Sequence, residues 1–131
     1  MLKISQLHSG DIVLVNDDGL MREGSIVKTD RDENLALINN GIQDFWYPPQ
    51  DIFPIALNES QLLEFGFEKE KLNDSIKYKK GAFRLLTPLA GNFNKLELWY
   101  REDRRNFNVP IAAHELQNLH TAMTKVPLLR H

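Results

Sequence analysis

Hydrophobic and polar positions alternate in short runs along the first half of the chain, and each run stops at a turn signal. Ile12-Val13-Leu14-Val15 follows Gly10-Asp11 and ends at Asn16-Asp17-Asp18-Gly19, residues that tolerate positive φ. Glu23 to Lys28 predicts a second strand, the polar stretch Thr29–Asn34 a loop, and Leu35-Ala36-Leu37-Ile38 a third strand turned back at Asn39-Asn40-Gly41. Gln43 to Tyr47 predicts a fourth, closed by Pro48-Pro49, since neither proline can donate to a ladder. Ile52-Phe53-Pro54-Ile55 predicts a short fifth. Five short strands joined by turns over residues 10–56 predict a small closed β-barrel.

The pattern then changes period. Asn58 can cap a short helix running to Phe65, with Gln61 at the capping-box position, Leu57 and Leu62 as a hydrophobic staple and Gly66 as the left-handed residue that ends it. Alternation returns in Ser75–Lys80, with Ile76 and Tyr78 on one face and the lysines on the other. Phe83–Pro88 follows, and then Lys95–Arg101, with Leu96, Leu98 and Tyr100 inward. Glu102–Arg105 reads as a turn and Asn106–Val109 as the lead into a last helix, His114–Thr124. Pro110 stands just before that helix, and Ala112, Leu116, Leu119 and Met123 recur at helical spacing. The expected fold is α+β: an SH3-like β unit over residues 1–56, loosely similar to Tudor or KOW barrels, then a helix–antiparallel sheet–helix unit over 57–131 packed against it.

The segments Pro54-Ile55-Ala56-Leu57, Leu62-Leu63-Glu64-Phe65-Gly66-Phe67 and His114 through Thr124 stand in the order seen in a family of small Bacteroidetes proteins found in prophage and mobile-element regions, and the chain resembles that family. Its members close on a His-x-Leu-Gln-Asn-Leu helix. After Thr124 this chain departs, with Lys125-Val126-Pro127 in place of the usual Gly-acidic tail. The resemblance implies a phage or mobile-element origin and no reaction, because none is established for the family.

Composition narrows the chemistry. Hydrophobic residues make up 42% of the 131 residues and charged residues 26%, ordinary for a globular domain able to bury a core. A net charge of −2 favours neither nucleic acid nor membrane in bulk. The distribution is uneven: residues 1–56 hold 4 Lys/Arg against 9 Asp/Glu, a balance of −5, and residues 57–131 hold 12 against 9, a balance of +3. Without cysteine there are no disulfides, no thiol catalysis and no thiolate metal site, which fits a cytoplasmic protein. No apolar run reaches the length of a membrane helix, and the start lacks the apolar core of a signal peptide.

Catalytic signatures are missing. His114-Glu115 opens like a zinc-peptidase helix, but Asn118 stands where the second histidine belongs, and His120 lies about 600° around the helix, on another face. His114 therefore reads as a surface residue. There is no phosphate-binding glycine loop and no nucleophile elbow, and Asp30–Asn34 lacks the glycine and distal glutamate of a calcium loop. No metal, cofactor or enzymatic activity is expected.

Two clusters remain. In Phe45-Trp46-Tyr47, Phe45 and Tyr47 share one strand face and Trp46 takes the other. One side is core, and the other either covers the end of the barrel or binds a partner peptide or base. On the open face of the second sheet, Lys77, Lys79, Trp99, Arg101 and Arg105 offer cations for phosphates and a ring for a base. The leading expectation is a non-enzymatic binding or adaptor protein acting through protein contacts, with a nucleic-acid-binding module as the alternative and an undetected enzyme as the second alternative. The sequence does not set the oligomeric state.

Overall fold

The structure is a computed structural model, which describes residues 1–130. It is α+β, with two five-stranded antiparallel sheets and two α-helices, and the chain divides into two compact units at Ile55/Ala56.

The first unit is a meander. Strands β1 (Ile12–Asp17), β2 (Leu20–Asp30), β3 (Leu35–Asn39), β4 (Asp44–Tyr47) and β5 (Ile52–Phe53) form a sheet in the order β4-β3-β2-β1-β5. A 3-10 turn at Pro49–Asp51 separates β4 from β5. Among the described residues β4 and β5 do not pair with each other, so the ladder is open rather than closed into the expected barrel. β2 is longer than the sequence predicts, because Leu20, Met21 and Arg22 before Glu23, and Thr29 and Asp30 after Lys28, belong to it, and it is bulged between Ile26 and Lys28. One sheet face carries the core: Val13, Val15, Ile26, Ala36, Ile38, Tyr47 and Ile52 cluster with Ile4 and Leu7 from the segment before β1. Gly24, in β2, lies against Ile38 and Asn39 of β3. A Cβ there would lie 2.6 Å from Ile38 Cγ2 and 2.8 Å from the Asn39 carbonyl oxygen, so only glycine fits without moving backbone.

The second unit opens with α1 (Glu59–Glu64). The Asn58 side chain accepts from the Gln61 N–H at 2.9 Å, Gly66 ends the helix at φ 89°, and Phe67 N–H returns to the Leu62 carbonyl at 3.1 Å, as the residue order predicts. Five strands follow: β6 (Glu68–Lys71), β7 (Ile76–Lys80), β8 (Phe83–Thr87), β9 (Leu96–Tyr100) and β10 (Asp103–Phe107), in the order β10-β9-β8-β7-β6. Two differ from the sequence reading. β6 is wholly charged, so it shows no apolar alternation to find. β10 begins at Asp103, because Arg101, at φ 58°, and Glu102 make the turn alone. Ile76, Tyr78, Phe83, Leu85, Leu96 and Leu98 share the buried face.

Helix α2 (Ala113–Thr124) buries a different stripe from the one its leucines suggest: Ala113, Leu116, Gln117 and His120 lie inside, with His114 beside them. The expectation of a surface His114 is therefore corrected, since that residue is 3% exposed. For Gln117 and His120 the partner is the tail. The chain turns at Lys125 (φ 64°) and runs back along the helix, where the Gln117 amide donates to the Leu128 carbonyl at 2.9 Å. His120 Nδ1 donates to the Val126 carbonyl at 2.8 Å. Leu128 is buried by this return, and Arg130 reaches Glu64 at 2.9 Å and Gln61 at 2.6 Å. Phe83 meets the His120 ring edge-on at 4.8 Å and Phe67 at 6.0 Å. Both helical segments thus cover the apolar face of the sheet.

Two consequences are measurable. Gly24→Ala forces Ile38 and the Asn39 backbone apart and is expected to cost about 1–3 kcal/mol, read as a lower denaturant midpoint at unchanged slope; an unchanged midpoint would mean that the strands can separate freely. Burial holds the imidazoles of His114 and His120 below their ordinary 6.5; Glu115 pulls His114 back up, the Val126 carbonyl does the same for His120, and Lys80 adds to the lowering of His120. The unfolded chain takes up these protons first, so the stability tied to neutral imidazoles is complete above 6.5 and lost as pH falls through 6.5 toward the lowered folded values. Urea midpoints taken from about pH 8 to pH 5 should fall accordingly. In a His114→Gln, His120→Asn variant the decline over that window should shrink; a variant with the parental slope would contradict the assignment.

Candidate functional site

Alternation and edge position decide what β4 presents. As the edge strand of its sheet it pairs with β3 alone, through Ala36↔Tyr47, Leu37↔Trp46 and Ile38↔Phe45. Tyr47 turns into the core, 3% exposed, and its hydroxyl accepts from Asn40 Nδ2 at 2.9 Å and donates to Asp17 at 3.3 Å. Asn40 in turn accepts from the N–H groups of Ile42 and Gln43, which fixes the β3–β4 turn. Tyr47 is thus an anchor, out of a partner's reach. Phe45, on the same side, lies past the core at 52% exposed and touches Tyr47 edge-on at 5.3 Å. Trp46 faces the other way, 37% exposed, with the Lys28 ammonium 5.7 Å from its ring centre. Two large rings therefore flank one sheet edge, and the only charge on the strand is Asp44.

The second unit brings together a row that the sequence lists only in part. Cross-strand register aligns Glu68, Lys79, Arg84, Trp99 and Arg104 across all five strands on the open face. The Arg104 guanidinium lies over the Trp99 ring at 5.6 Å, and Arg84 is tethered to the carbonyls of Gly81 and Phe83. Lys77 lies one row away, and both lysines approach Glu70, at 3.8 and 3.9 Å, which offsets part of their charge. Arg105 stands opposite Leu98, on the other face, and is held by Asp103 at 3.1 Å. Arg101 is in the turn, stacked on Tyr100 at 5.0 Å. Neither joins the row, which corrects the sequence expectation. Arg84 and Arg104 take their place. Arg84 was legible as the polar position between Phe83 and Leu85, whereas Arg104 was hidden by the misplaced turn.

A third feature lies on the buried side of the same sheet, where the core ends at β6. Glu59 of α1 accepts on one carboxylate oxygen from both the Tyr78 hydroxyl at 2.8 Å and Lys69 Nζ at 2.9 Å. Those two hydrogen bonds, chiefly the one from Lys69, hold the Glu59 carboxyl below the usual range. Burial, with the hydrogen bond to Glu59, pushes the Tyr78 hydroxyl well above its ordinary value. Beside this group opens a cleft of about 390 Å³, also lined by Lys71, Ile76 and Phe93. Among the described residues no group of three or more histidines, cysteines or carboxylates could hold a metal ion, and no helix is long and apolar enough to cross a membrane. Comparison with protein-family models, with curated proteins and with solved structures gives no match.

Proposed function

We propose that the chain is a non-enzymatic binding or adaptor protein, cytoplasmic and of phage or mobile-element origin, that takes an extended segment of a partner protein on the edge of β4. The observation that carries this reading is the contrast between sheet edges. β6 reads Glu-Lys-Glu-Lys and β10 opens Asp-Arg-Arg, charges that deter strand addition, and β5 is two residues long before Pro54. β4 carries Phe45 and Trp46 exposed on its two sides with one carboxylate. Strand addition there would supply main-chain hydrogen bonds for affinity and ring contacts for specificity. The partner segment is basic, because residues 1–56 carry a balance of −5. The strand order, with a 3-10 turn between β4 and β5, supports reading the first unit as SH3-like in topology although its ladder is open.

A second reading rests on the aligned row of the other unit. Lys79, Arg84 and Arg104 around Trp99 suit a single nucleic-acid strand, with cations for phosphates and a ring for a base.

The immobilised chain, exposed to nuclease-treated lysate of the source cell, should retain proteins that a Phe45→Lys, Trp46→Lys variant loses and an Arg84→Ala, Trp99→Ala variant keeps. Partners indifferent to β4, or released by nuclease, would count against strand addition. For the second reading, three phosphate contacts on a single strand give a slope of log K against log salt of about −2. Anisotropy of a labelled oligonucleotide should show that slope and a loss of about 1–3 kcal/mol in Trp99→Ala. Binding insensitive to both salt and Trp99 would remove the nucleic-acid reading.

A further inference from the structure

We infer that the cleft at the β6 end of the second sheet is a binding site for a small aromatic carboxylate. The placement of charge is the first argument. Pairing of Lys69 with Tyr78 and of Lys71 with Ile76 puts both lysines on the buried-face side of the edge strand, while Glu68 and Glu70 face the other way. Inward-pointing charges on an edge strand deter aggregation. That role explains the lysines and leaves the cleft between them and Phe93 without a purpose.

The second argument is the charge inventory of the cleft. Glu59 is already matched: one oxygen accepts from both Lys69 and Tyr78. Lys71 has no carboxylate partner among the described residues and lines the same space. One positive charge is therefore left over, on a flexible stem at the mouth. An anion meets Lys71 without breaking the Glu59 pair, whereas a cation would have to compete with Lys69 for Glu59.

Shape supplies the body of the ligand. Phe93 lies against Tyr78, ring centres 6.3 Å apart and tilted by 37°, and Ile76 adds an aliphatic surface. A volume of about 390 Å³ falls in the range of small-molecule pockets. A flat apolar group seated by Phe93 and Ile76, with its carboxylate toward Lys71, satisfies each of these features. Such a site lies outside β4 and the basic row, so it stands or falls independently of the partner reading.

The test is an amide-resolved NMR titration of the full chain with 3-phenylpropionate, run beside its neutral amide. Saturable shifts at Gly91, Phe93 and Lys71 are expected with the acid, and the amide should bind about ten-fold more weakly or worse. Lys71→Gln, an exposed change that leaves the core intact, should bring the acid down to the level of the amide, and Phe93→Ala should weaken both. No saturable shift at the cleft by about 10 mM acid would overturn the proposal. Equal binding of acid and amide, or unchanged binding in Lys71→Gln, would do the same.

Discussion

Each of the two sheets has one face closed to water, and the two-residue period of a strand then fixes the direction of every other side chain. Val13, Val15, Ile26 and Ile38 claim one face of the first sheet, and Tyr78, Leu85, Leu96 and Leu98 one face of the second. Once those positions are inside, Trp46 and Trp99 have no choice but the outer faces, and Arg84 and Arg104 come into line with Trp99 through pairing alone. A one-residue slip of β9 would bury Glu97 and Trp99 and expose Leu96 and Leu98. Trp46 and the basic row are the complement of the two cores, whereas Phe45 and the cleft at β6 lie on the core side, where each core ends.

Helix α2 shows how polar residues enter such a core. Gln117 and His120 are buried because the returning tail provides carbonyl partners, those of Leu128 and Val126. Each buried donor that finds an acceptor avoids a desolvation penalty of about 1–3 kcal/mol. Lys80 contributes from the sheet side by donating to the Phe65 carbonyl at 2.6 Å, and partial burial lowers the pKa of its ammonium. The motif His-x-Leu-Gln-Asn-Leu thus has a structural use here: its glutamine and the histidine after it staple the tail to the helix.

Edges separate the two units more sharply than faces do. The second sheet ends in charged strands on both sides, and at β6 the charges alternate sign between faces: glutamates outside beside Lys77 and Lys79, lysines inside beside Tyr78 and Ile76. The first sheet ends in an aromatic strand. Since unpaired backbone groups at an edge invite another strand, this difference in side chains is a difference in what each unit can accept.

Much of this was legible in local sequence. The α+β class, the strands β1, β3, β4, β7, β8 and β9, the Asn58 cap, the Gly66 stop and the outward set Lys77, Lys79 and Trp99 follow from period, turn residues and capping chemistry, which act over a few residues. What was not legible depends on distant partners. β6 has no apolar residue to betray it and exists because β7 offers a ladder. The start of β10, and with it the placement of Arg104 and Arg105, was set by a two-residue turn at Arg101 whose left-handed φ no sequence preference announces. The buried side of α2 was chosen by a tail whose carbonyls satisfy Gln117 and His120, and the cleft at Glu59 joins a helix, two strands and a loop. Local physics determined most of the elements and the faces of the apolar strands; cross-strand register, edge position and long-range hydrogen bonding decided the rest and which side chains meet, because those depend on groups far apart in the chain.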